Sequence, residues 1–184
     1  INEETGENLM HGMGELHLEI IENRIRTEKG LDVQTSSPIV VYRESVTKLG
    51  PKVEGKSPNK HNKFFLTVEP LDEGIFNAIK DGSLPNNIRI KKKDTTVVQK
   101  LVELGVETKA AKKVRQIYKG NLVTDDTRGI VQIGEVIEMI MDGVQQVVDA
   151  GPLAREPCSR MLIRIQDMKL HEDAIHRGPA QVYP

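Results

Sequence analysis

The sequence has no tryptophan, and only three phenylalanines and three tyrosines in 184 residues. That scarcity argues against a surface that binds nucleic acid by stacking bases on aromatic rings. A single cysteine, Cys158, excludes an intramolecular disulfide framework and fits a reducing compartment. No apolar run reaches the roughly eighteen residues a membrane-spanning helix needs. Charge of one sign is also missing: 26 basic and 27 acidic side chains leave a net charge of −1. This excludes a wholly basic nucleic-acid coat protein and an acidic disordered tail. The first residue is Ile, and no charged-then-apolar leader follows it, which reads as an interior stretch or a processed product.

The balanced total hides segregation. Residues 88–119 carry ten basic and three acidic side chains, with acid-rich stretches before and after. Arg89, Lys91, Lys92, Lys93 and the lysines of 108–119 are therefore candidates for phosphate contact. Composition alone favours a solvated face.

Spacing supplies a coarse map. Residues 1–11 read as a hairpin around Thr5-Gly6-Glu7-Asn8. Leu16, Leu18, Ile20, Ile21 and Ile25 recur at helical intervals, predicting a helix over about 14–29 that Gly30 ends. Leu31–Gln34 reads as a short strand, and Thr35-Ser36-Ser37-Pro38 as a linker. Residues 39–46 are β-rich, 48–63 form a long loop, and 61–70 return to strand. A short helix fits 72–82, and 88–93 is weakly extended. Asp94 caps a helix running to Leu104, and Thr108 caps another running to Gly120. The clearest helix is 135–150, ended by Gly151-Pro152; a strand follows at 161–168, then a polar tip at 170–184.

Several patterns suggest chemistry. Gly50 to Ser57 fits the phosphate-loop pattern G-x4-G-K-[ST]. Yet Pro58, Asn59 and a β-rich run follow, where phosphate binding needs the start of a helix. His171, Asp173 and His176 resemble part of a zinc set. The five-residue step between the histidines suits neither helix nor strand, and no fourth ligand is near in sequence, so no metal site is assigned. His11 and His17 are weaker candidates still. No nucleophile elbow or paired carboxylates stand out, and no catalytic residue is assigned.

Three segments together resemble one family. Gly12-Met13-Gly14-Glu15-Leu16-His17-Leu18-Glu19-Ile20 is similar to the helix-opening signature in the third domain of translocating elongation factors. Lys56-Ser57-Pro58-Asn59-Lys60-His61-Asn62-Lys63 resembles a tip loop of the fourth domain in the elongation factor 2 family. Asp173-Ala174-Ile175-His176-Arg177-Gly178 resembles that domain's second tip loop, which carries diphthamide, a modified histidine. Gly178-Pro179-Ala180-Gln181 departs from the eukaryotic run of glycines and is similar to archaeal members.

The resemblance implies an α+β chain. Residues 1–37 would be the C-terminal half of a ferredoxin-like third domain. Residues 38–184 would be a fourth domain resembling domain 2 of ribosomal protein S5, an α/β sandwich incomplete at its C-terminus. It implies a ribosomal translocase in the cytoplasm, with GTP and magnesium held outside this chain and no enzyme activity within it. His176 would be the diphthamide residue. Asn59, Lys60, His61, Lys63, Asp173, His176, Arg177 and Gly178 would contact tRNA at the decoding centre. Partners would be the ribosome with its rRNA, tRNA and mRNA, the factor's other domains, and the enzymes of diphthamide synthesis, with no membrane. The other readings are an autonomous S5-type RNA-binding module and a small-molecule kinase of the same fold.

Overall fold

The computed structural model describes residues 8–38, 40–91, 94–130 and 133–183. The chain divides into two compact units, Ile1–Val41 and Tyr42–Pro184. The hairpin expected over 1–11 falls largely outside the described residues; residues 8–11 have no regular structure.

The first unit is built on helix α1, Glu15–Lys29. Glu15 lies in its first turn and Arg26 and Lys29 in its last, each complementing the helix dipole. Gly30 takes a left-handed φ of 65° and ends it, as expected. Ion pairs Arg24–Glu28 and Arg26–Glu22 brace the polar side. The apolar stripe is only partly covered: Leu16 and Ile20 are exposed, Leu18, Ile21 and Ile25 are half-buried, and no residue of α1 is buried. Leu31–Gln34 is not a strand. It turns back along α1, held by Arg26 donating to the Val33 carbonyl and Thr35 to Glu22, with no ladder partner among the described residues.

The second unit is one six-stranded mixed sheet. Its strands are β1 (Val53–Lys56), β2 (Lys63–Pro70), β3 (Ile88–Arg89), β4 (Val114–Tyr118), β5 (Asn121–Asp125) and β6 (Met161–Lys169). Their order across the sheet is β1-β2-β6-β5-β4-β3. All neighbours are antiparallel except β5 and β6. Helix α5, Ile133–Asp149, makes the long crossover that this parallel pair requires.

Alternation along the strands divides the core. Leu122, Ile117 and Leu162 join one cluster with Ile75 and Ile79 of helix α2 (Glu73–Lys80) and Val97 and Leu101 of helix α3 (Thr96–Glu103). Val123, Ile163 and Ile165 join the other with Val136, Ile140 and Val148 of α5. Neighbouring strand residues point to opposite faces, so helices cover both sides of the sheet. Asp72 caps α2 by accepting from the amides of Gly74 and Ile75, and Asp94 accepts from the amide of Thr96 at the start of α3.

The helix expected over 108–119 is mostly strand. Helix α4 is only Thr108–Ala111, and β4 follows at Val114. Ala110, Val114 and Ile117 fit helical spacing, but the Lys119-Gly120 turn, with φ of 47° and 74°, folds β4 onto β5. Such a two-residue turn closes a hairpin, and the ladder outweighs local helix preference. The loop expected over 48–63 contains β1, which lacks apolar periodicity because all four of its residues are exposed at the sheet edge. Among the described residues of the β-rich stretch 39–46, one bridge forms, Glu44 to Cys158. The Glu44 carboxylate accepts from the amides of Leu153, Ala154 and Glu156, tying down the connector between α5 and β6.

Candidate functional site

Two loops meet at one end of the sheet. The first, Ser57–Asn62, joins β1 to β2, whose last rung is Lys56 opposite Lys63. A turn closes it: the Lys60 amide donates to the Ser57 carbonyl at 2.7 Å, and Lys60 takes a left-handed φ of 61°. Asn59 Oδ1 accepts from the His61 amide at 3.1 Å and the Ser57 hydroxyl at 2.6 Å. The Gly50–Ser57 stretch thus runs through an edge strand into a turn, with the Ser57 hydroxyl engaged inside its own loop.

The second loop follows β6. Asp173 starts a single 3-10 turn, Ala174–Arg177, by accepting from the Ile175 amide at 3.2 Å. Its own amide donates to His171 Nδ1 at 3.1 Å. The Arg177 side chain is buried and donates to the carbonyls of His171 and Glu172 at 2.5 and 2.6 Å. Gly178 has φ −69° and ψ 169°, open to any residue, and caps helix α6, Pro179–Val182, with Pro179 in its first turn.

Asn62 joins the loops. It is fully buried; Nδ2 donates to the His176 carbonyl at 2.7 Å, and Oδ1 accepts from the His171 amide at 3.0 Å. A second tie runs from the Asn59 amide to Gln181 Oε1 at 3.1 Å. These bonds bring three imidazoles together. The His61 and His171 rings stack with centroids 4.9 Å apart, and His176 stands edge-on to them at 4.8 and 4.5 Å. His61 is exposed; His171 and His176 are half-buried.

The expected contact residues therefore divide. Lys60 and His61 are exposed, Asn59 and His176 are half-buried, and all four lie at the junction. Lys63 sits in β2, 3.6 Å from Glu54, which also pairs with Lys56 at 3.0 Å. The Lys56 hydrogen bond leads in holding the Glu54 carboxyl below its ordinary range. Arg177 is buried against loop backbone, and Asp173, though exposed, is engaged by the Ile175 amide. Sequence reasoning left Asn62, His171, Gln181 and the exposed Ile175 out of the contact set. No spacing signal marks them: Asn62 and His171 meet across 109 residues. His11 and His17 lie in the first unit, where His17 Nδ1 accepts from the Met13 amide.

Part of the basic stretch is paired with acids among the described residues, while Lys92 and Lys93 lie outside them. Arg89 pairs with Glu138 and Asp142, Lys113 with Asp126, Arg115 with Asp125 and Lys119 with Asp149. These acids come from the stretch that follows it in sequence, so segregation along the chain becomes pairing in space at these four residues.

Two family models match the chain: elongation factor G domain III over residues 1–37 and elongation factor G domain IV over residues 86–184. The chain belongs to this family of translation elongation factors. It is 52% identical to Elongation factor 2 of Thermococcus kodakarensis and 50% identical to that of Pyrococcus furiosus. Elongation factor 2 of Pyrococcus horikoshii is 49% identical. Each match covers 100% of this chain and 25% of the relative, so the chain spans about a quarter of the length of the curated relatives it matches. No described helix is long and apolar enough to cross a membrane.

Proposed function

We propose that this chain is the strut and tip of a ribosomal translocase that moves tRNA and mRNA at the expense of GTP. The observation that carries the reading is the junction at Asn62. It fixes two distant loops against one rigid sheet, so that a rotation elsewhere in the factor becomes a displacement at the tip. Residues 1–37 act as half of a ferredoxin-like third domain and 38–184 as an S5-like fourth domain. GTP and magnesium belong to another domain of the longer factor, and this part makes and breaks no bonds.

The tip enters the decoding centre of the ribosome in the cytoplasm and meets rRNA, tRNA and mRNA. Lys60 and His61 supply exposed cationic and imidazole donors, and Asn59 and Lys63 flank them. Such donors suit phosphate and 2′-hydroxyl groups, which are present whatever the codon. Asp173, Arg177 and Gly178 contribute by shaping the second loop. His176 is the residue that diphthamide-synthesis enzymes modify, and its backbone is held by Asn62, which fixes where an added cation would project.

Two measurements test this. Replacing Lys60 and His61 by Ala in the full-length factor slows single-turnover translocation and leaves intrinsic GTP hydrolysis unchanged; equal loss of both counts against the tip role. Peptide mass analysis of protein from its native source finds added mass on His176, and an unmodified native peptide refutes the assignment.

A further inference from the structure

We propose that His61, His171 and His176 form a binding site for one divalent transition-metal ion of the zinc class. One ring nitrogen from each residue lies within 4.8 Å of the others. The five-residue step between His171 and His176 suits neither helix nor strand, but the turn after β6 brings their rings to 4.5 Å, and a third imidazole arrives from the other loop. The inference does not rest on the translational reading and concerns the protein whose His176 imidazole carries no added group.

The backbones behind the three rings are already fixed. Asn62 bonds the His171 amide and the His176 carbonyl, Arg177 bonds the His171 carbonyl, and Asn59 bonds the His61 amide. Tetrahedral zinc with nitrogen ligands at about 2.0–2.1 Å sets those nitrogens roughly 3.3 Å apart. The nitrogens therefore close by about 1.5 Å at most, and the His61 and His171 rings also turn out of their stack so that their in-plane lone pairs converge, both by side-chain rotation. The Asp173 amide now donates to His171 Nδ1. That amide is on an exposed residue, so if the metal takes this nitrogen, water replaces the lost partner at small net cost.

Ligand chemistry selects the ion. Three neutral imidazoles without a carboxylate suit zinc, copper, nickel or cobalt, and they exclude magnesium and calcium, which need oxygen ligands. Three protein ligands leave a tetrahedral ion one open position. Because His61 is exposed, that position faces solvent and accepts water or an anionic oxygen.

The test is a titration of the full-length protein, verified as unmodified at His176, with Co(II) followed by competition with Zn(II). The wild type and His17→Ala develop visible ligand-field bands for one ion at this site, and Zn(II) abolishes them. Outer-shell changes alone cost ten- to a hundredfold in metal affinity, so loss of a ligand in His61→Ala or His176→Ala weakens binding about 100-fold or more. His61→Cys keeps the ion and adds a thiolate-to-cobalt charge-transfer band, which ring packing alone cannot produce. Identical titrations of wild type and His61→Ala, or a His61→Cys variant without that band, overturn the proposal.

Discussion

Asn62 uses every polar group it has. Its amide donates to the Ser57 hydroxyl, its carbonyl accepts from the Ser57 amide, and both side-chain atoms cross to the second loop. A buried polar group is tolerated only when satisfied in this way. Asn62→Ala leaves the His171 amide and the His176 carbonyl without partners and is expected to cost about 1–3 kcal/mol, read from urea unfolding. Asn62→Asp keeps the acceptor for His171 and loses the donor to His176. Native-state hydrogen exchange should therefore show the His171 amide still protected in the Asp variant and unprotected in the Ala variant.

Among the elements, helices were the most legible in sequence. The stripes of α1 and α5 are local signals, and Asp94, expected as a cap, stands one residue before the Thr95 cap of α3 and still accepts from the Thr96 amide. Strands were less so, because a strand is defined by its neighbour. Val114 to Tyr118 reads as helix until the Lys119-Gly120 turn supplies β5 as a partner, and β1 has no buried face to mark it. The link between residue 44 and the connector after α5 was wholly invisible. There burial pushes the Glu44 carboxyl up, but amides of Ala154, Leu153, Glu156 and Arg155 outweigh it and lower its pKa. A lowered folded-state pKa means stability that is present above the ordinary carboxylate range and lost as pH falls through the folded value. Glu44→Gln should therefore lower the urea midpoint at pH 7, and the gap from wild type should close in acid. A gap that persists in acid would refute the assignment.

For the molecule as a whole, net charge and charge placement say different things. On the second unit Arg89, Lys113, Arg115 and Lys119 are each paired with acids. Lys60, exposed at the junction, has no ion pair among the described residues. Each phosphate contact contributes about 0.9 to the slope of log affinity against log salt on duplex nucleic acid. Lys60→Ala is expected to reduce the salt slope of ribosome binding by up to about 1, whereas Lys113→Ala and Lys119→Ala leave it unchanged. Both tip loops were readable as motifs, but the bonds that join them through Asn62 were not, since contact across the fold leaves no trace in spacing.

The tie from Asn62 to His176 spans 114 residues. Chain closure of that length waits until β6 has docked between β2 and β5, long after the first loop has been synthesised. The three-imidazole surface exists, then, only on a chain that has finished folding. Any partner that recognises the assembled tip inspects the completeness of the whole sheet at the same time, and a half-made molecule offers it nothing to hold.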